Sequence, residues 1–149
     1  MNLSEEIEVI RISTLCGIYT KEELICYLDK LISEIEDIPF EVIEASLCSS
    51  KNISDISIKL KEYTSQYYVD KDIIQNELIH IIACKYYTEK ISLDDCIYYL
   101  YNLLKEINLS EEVEQKIQYL SDGLFLAEQD IYGDIEIIKK DFEEFIKKY

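Results

Sequence analysis

Glycine, proline and histidine are nearly missing from this sequence, which holds three, one and one of them in 149 residues. With so little glycine and proline there is scant material for flexible linkers. With 48% hydrophobic residues as well, the chain is expected to bury a core and fold as a single domain over residues 1–149. The lone His80 restricts the available chemistry further. With Glu77 it makes a single E-x-x-H, whereas a ferritin-like dimetal centre needs a second such motif. His80 and Cys84 share a helix face at i, i+4, but zinc would need two further ligands from elsewhere. A Ser-His-Asp or Cys-His nucleophile would have to use this same histidine, inside the Ile-rich run 78–84. His80 is therefore expected to be a structural core residue. Gly17, Gly123 and Gly133 stand alone, and none opens a Walker or dinucleotide loop. The expectation is a non-enzymatic chain with no catalytic residues, no metal site and no cofactor.

Long apolar runs are missing too, as is a basic, apolar and small-residue leader pattern at the start. No membrane partner is expected, and the location is expected to be cytoplasmic. The five cysteines are odd in number, widely spaced and form no Cys-x-x-Cys pair, which points to reduced and mostly buried thiols.

Basic charge is the other scarce commodity: 15 Lys and Arg face 31 Asp and Glu, for a formal net charge of −16. Repulsion from phosphate argues against nucleic acid, while a basic protein surface would be steered in at long range. The charge is unevenly spread. Residues 1–50 hold eleven acids and three bases, residues 51–100 eight and six, and the remainder twelve and six. Two explanations stand beside each other, a solubilising surface and a directed field.

Apolar residues recur at helical spacing nearly throughout, so the expected fold is all-α, with about eight helices in an irregular bundle or a short stack of helical hairpins. The first helix is expected after Ser4 and up to Gly17. Thr20 and Glu23 have capping-box spacing ahead of Leu24, Leu28, Leu31 and Ile35. Pro39 suits a first helical turn, and Asn52 precedes the stripe Ile56, Leu60 and Tyr63. The segment from Leu78 to Cys84 reads as a central helix buried on several sides. Ser92 and Asp95 cap a sixth helix, and Ser110 opens a seventh lined by Val113, Ile117, Leu120, Leu124 and Ala127 and weakened at Gly123. Asp134 begins the last, which turns Ile135, Ile138, Phe142, Phe145 and Ile146 inward.

Two features suit a protein interface. Glu34, Glu36, Asp37, Glu41 and Glu44 gather five acids around Pro39 with no base among them. Tyr67 and Tyr68, Tyr86 and Tyr87, and Tyr98, Tyr99 and Tyr101 form aromatic groups in the nearly neutral middle; neighbours on a helix cannot all face inward, so some reach the surface. The candidate partner-binding residues are Glu34, Glu36, Asp37, Glu41, Glu44, Tyr67 and Tyr68.

Three features together are similar to the small acidic immunity proteins that accompany bacterial polymorphic or contact-dependent toxins. These are the acidic helical character, the segment Asp37-Ile-Pro-Phe-Glu-Val-Ile-Glu-Ala-Ser-Leu, and the ending Leu126-Ala-Glu-Gln-Asp-Ile-Tyr-Gly-Asp-Ile-Glu with Lys139-Lys140-Asp141-Phe142. The resemblance implies one-to-one binding of a basic cognate toxin domain, often a nuclease, whose active or substrate-binding surface is covered. It carries over no functional residue. The alternative is a helical adaptor or chaperone that holds an amphipathic partner segment. Oligomeric state is left open.

Overall fold

The computed structural model describes all of residues 1–149, and the fold is all-α. Its eight helices are α1 (Leu3–Leu15), α2 (Lys21–Glu34), α3 (Phe40–Leu47), α4 (Ile53–Thr64), α5 (Lys71–Tyr87), α6 (Leu93–Glu106), α7 (Glu111–Glu128) and α8 (Ile135–Ile146). None is long and apolar enough to cross a membrane. The sequence placed no boundary inside the chain; the structure groups the helices into two compact units, residues 1–74 and 75–149, with the division falling within α5.

In the first unit α1 packs on α4 and α2, and α3 bridges α2 and α4. Its core is Ile7, Ile10, Leu24, Leu28, Leu31, Val42, Ala45, Ile56, Leu60 and Tyr63. Local chemistry sets the helix starts. Thr20 and Glu23 form the expected reciprocal cap on α2, with the Glu23 amide donating to Thr20 Oγ1 and the Thr20 amide donating to Glu23 Oε2. A second capping box was not anticipated: α1 starts at Leu3 rather than after Ser4, because Asn2 and Glu5 satisfy each other's amides at 2.9 Å. Gly17 follows α1 at φ 86°, a left-handed conformation that glycine adopts without steric cost. Pro39 is the N-cap of α3, one position earlier than the first-turn placement.

One charged cluster clamps α1 to α4. Glu8 is buried, and its carboxylate accepts from Arg11 at 2.7 and 2.9 Å, from Lys61 at 2.8 Å and from Thr64 at 2.8 Å; Arg11 also donates to Ser57 at 3.0 Å. Burial alone would raise the Glu8 pKa. The bonds from Arg11, Lys61 and Thr64, with the Arg11 charge, outweigh it and hold the group at about 2.

In the second unit α7 packs on both α6 and α8. Val113, Ile117, Leu120, Leu124 and Ala127 of α7 are all buried, as their spacing predicts. Gly123 has a role that helix propensity did not show. A Cβ there would lie 2.5 Å from Ile138 Cδ1, so the missing side chain leaves room for the end of the Ile138 side chain of α8 against α7. Tyr86 of α5 stands edge-on to Phe142 at 5.0 Å and donates to Glu143 at 2.7 Å. The Ser110 amide, at the start of α7, donates to the buried Gln75 at 2.7 Å.

Three expectations are corrected. The segment Leu78 to Cys84 is not buried all round: Leu78, Ile79, Ile82 and Ala83 are buried while His80 and Cys84 are exposed. An α-helix carrying six apolar residues in seven successive positions around its axis cannot hide all of them from one side. His80 is therefore no core histidine. Ile135 is exposed rather than inward, because it occupies the first turn of α8 ahead of the buried stripe that starts at Ile138. The thiols are free, yet only Cys16 and Cys96 are buried; Cys26 and Cys84 are exposed.

Candidate functional site

The turn between α2 and α3 is shaped by a proline. Ile35 leaves α2 with extended backbone, Glu36 and Asp37 follow in the turn, and Pro39 fixes φ at −57° before its carbonyl accepts the amide of Val42 at 3.1 Å. Val42 and Ala45 then point into the core. The opposite side of this eight-residue helix is apolar as well. Phe40 is 69% exposed and Leu47 77% exposed, two turns apart on one face. Such a pair within an acidic segment is not required by the core and is not explained by solubility.

The five acids around Pro39 differ in how free they are. Glu36 and Asp37 are exposed and belong to none of the ion pairs. Glu34, in the last turn of α2, is exposed and sits 3.9 Å from the equally exposed Lys30, a weak pairing in water. Glu44 is half-buried and lies 3.8 Å from Lys59 of α4. Glu41, in the first turn of α3, accepts a hydrogen bond from Gln66 Nε2 at 2.9 Å, and that bond, with the backbone bond at Glu41, lowers its pKa.

The Glu41–Gln66 bond joins the acidic turn to the aromatic group. Gln66 directly precedes Tyr67, whose ring leans on Tyr63 with centroids 5.0 Å apart. Burial, the Tyr67 hydroxyl and the Glu41 charge all push the Tyr63 phenol up. Tyr67 and Tyr68 are 53% and 84% exposed. The structure therefore brings Glu41 beside the Tyr67 group, keeps Glu36 and Asp37 free in the adjoining turn, and turns Glu44 toward α4. Sequence reasoning missed Phe40 and Leu47. The signal was present: Phe40, Val42, Ile43, Ala45 and Leu47 are more apolar residues than one face of eight residues can bury.

Elsewhere, exposure of Tyr87, Tyr98 and Tyr101 agrees with the expectation that some tyrosines reach the surface; Tyr86 and Tyr99 are half-buried. His80 Nε2 lies 3.4 Å from Cys84 Sγ on the open face of α5, and no group of three His, Cys, Asp or Glu side chains is placed to hold a metal ion. A groove of about 560 Å³ between α7 and α8 is lined by Tyr119, Leu126, Tyr132, Ile137 and Ile138.

No protein-family model matches the chain, and no curated protein and no solved structure matches it either.

Proposed function

We propose that this chain is a non-enzymatic inhibitor of a basic protein, acting in the bacterial cytoplasm as immunity proteins do toward a cognate toxin domain. The observation that supports this reading is the α3 face. Phe40 and Leu47 offer apolar contact of the kind that dominates interface affinity, and Glu36, Asp37 and Glu41 add negative charge at the Phe40 end of the helix. Tyr67 and Tyr68 extend the surface with rigid rings. Charge in such an arrangement accelerates encounter and selects the partner, while the apolar centre slows dissociation. A nuclease, whose groove is basic because it holds phosphate, is the partner class that this chemistry fits.

The test is coexpression with a toxin domain encoded beside this chain, followed by association kinetics of the purified pair. The triple variant Glu36→Lys, Asp37→Lys, Glu41→Lys is expected to slow association by about tenfold or more and to flatten its salt dependence. Phe40→Ala with Leu47→Ala is expected to act on dissociation instead. Failure of the wild-type chain to protect against that domain rejects the reading, and unchanged kinetics in both variants rejects this face.

The groove between α7 and α8 favours a second reading, an adaptor that holds an amphipathic segment against Tyr119, Leu126 and Ile137. Salt separates the two. Groove binding through apolar contact is comparatively insensitive to ionic strength, whereas charge-steered inhibition slows as salt rises.

A further inference from the structure

The pairing of α6 with α7 leaves a narrow cleft of about 190 Å³, lined by Asp94, Ile97, Tyr98 and Tyr101 of α6 and by Leu124, Phe125 and Glu128 of α7. Its layout follows from helix periodicity. Positions 94, 98 and 101 stack along one face of α6, and positions 121, 125 and 128 along one face of α7. Ile97 and Leu124 are buried and form the floor. Tyr98, Tyr101 and Phe125 are 59%, 41% and 60% exposed, so their rings stand as walls open to solvent. One end is acidic, because the start of α6 meets the end of α7 and brings Asp94 to Glu128.

Those two carboxyls lie close enough to hydrogen-bond to each other, and this contact, followed by burial and the Asp94 charge, raises the Glu128 pKa. Like charges held together lack a counterion, and neither residue belongs to any of the ion pairs. From Asp94 to Tyr101 the cleft runs about 10 Å along the helix. Its volume is below the range of about 300 to 1,000 Å³ typical of a small-molecule pocket. At its far end Lys105 already lies 5.0 Å above the Tyr101 ring, so an aromatic wall here accepts a cation.

We infer that this cleft receives an arginine side chain presented by a basic protein partner, with the guanidinium forked onto Asp94 and Glu128 and flanked by the rings of Tyr98 and Phe125. Arginine fits better than lysine because a planar guanidinium both stacks on rings and bonds two carboxylate oxygens at once. The inference rests on the proposed reading only for the source of that side chain, a basic partner.

The experiment is an NMR titration of the isotope-labelled full chain with a short oligoarginine peptide, with an oligolysine peptide of equal length in parallel. The arginine peptide is expected to shift the ring resonances of Tyr98, Tyr101 and Phe125. The double variant Asp94→Asn, Glu128→Gln is expected to weaken it by about tenfold, against less than about twofold for Glu111→Gln, Glu114→Gln, which removes the same charge at the far end of α7. Phe125→Leu, at an exposed position, keeps the fold and is expected to lessen the preference for arginine over lysine. Equal weakening by the two double variants, ring shifts confined to other residues, or equal binding of both peptides to the wild-type chain overturns the inference. A toxin domain that fails to bind leaves this titration readable, so the two readings fail separately.

Discussion

Replacing Glu8 with glutamine tests whether the α1–α4 clamp is held by charge. The carboxylate is 5% exposed and receives four hydrogen bonds of 2.7 to 2.9 Å, three of them from cations. Its pKa falls from 4.5 to about 2 in the folded chain. That difference corresponds to roughly 3 kcal/mol of stability at neutral pH. The sign follows from proton binding: below the ordinary carboxylate pKa the unfolded chain takes up a proton that the folded chain still refuses. The contribution is therefore complete above pH 4.5 and drains away as pH falls toward 2. Glu8→Gln also leaves the Arg11 guanidinium, 11% exposed, without its counterion, and the loss at neutral pH is expected to be about 3 to 5 kcal/mol.

Urea unfolding of wild type and Glu8→Gln, followed by far-ultraviolet circular dichroism across acid and neutral pH, reads both quantities. The two midpoints are expected to lie far apart at neutral pH and to converge between pH 4.5 and 2. A gap that stays constant over that interval would refute the ionic account, because a packing defect does not titrate. The variant Glu8→Leu with Arg11→Met supplies the control. Removing both charges together is expected to cost far less than removing one, since the penalty of a stranded ion disappears.

Three further outcomes follow from single contacts, each read by the same urea midpoints. Ser13 Oγ is buried without a hydrogen-bond partner, so Ser13→Ala is expected to stabilise the chain by roughly 1 kcal/mol; destabilisation would mean the hydroxyl is satisfied. Gly123→Val forces Ile138 away from α7 and is expected to cost about 1 to 3 kcal/mol, although valine is not a worse helix former than glycine. Tyr86→Phe removes the 2.7 Å bond to Glu143 and is expected to cost about 1.5 kcal/mol. Burial, followed by the bond to Glu143 and its charge, drives the Tyr86 phenol well above 10.0, so the same variant is expected to remove the last part of an ultraviolet tyrosine titration.

The elements that read correctly from sequence are those with local causes. Thr20 with Glu23 and Ser92 with Asp95 are caps whose partners lie three residues away, and the stripe of α7 is visible at helical period. What escaped depends on distant neighbours. Gly123 reads as a weakness until Ile138 of α8 is placed against it, and nothing local marks Glu8, whose partners Lys61 and Thr64 arrive from 53 and 56 residues away. His80 failed for a different reason: apolar residues on both sides of it suggested burial, but side-chain direction on a helix changes by 100° per residue, so neighbours in sequence do not share an environment. The candidate interface residues are half legible. Composition marks the acids, whereas the exposure of Phe40 and Leu47 depends on which face of α3 its neighbours cover.

The structure also narrows what the net charge means. Among the acids before residue 51, Glu8 is consumed by Arg11 and Lys61, Glu44 leans toward Lys59, and Glu34 faces Lys30. Glu36 and Asp37 belong to no ion pair, as Glu22 does not, but they lie in a turn that Pro39 stiffens next to an exposed phenylalanine. A field that served solubility alone would work as well with its free charges anywhere on the surface. In the proposed reading, placing them beside Phe40 would raise the local concentration of a basic partner where apolar contact could then retain it, coupling rate and residence in one patch. The coupling has a measurable consequence: reversing Glu36 and Asp37 is expected to change association without dissociation, and moving the same two reversals to Glu22 and Asp72, also exposed acids of the first unit, is expected to change association less. Equal effects at both places would reduce the α3 turn to an ordinary part of a uniformly acidic surface.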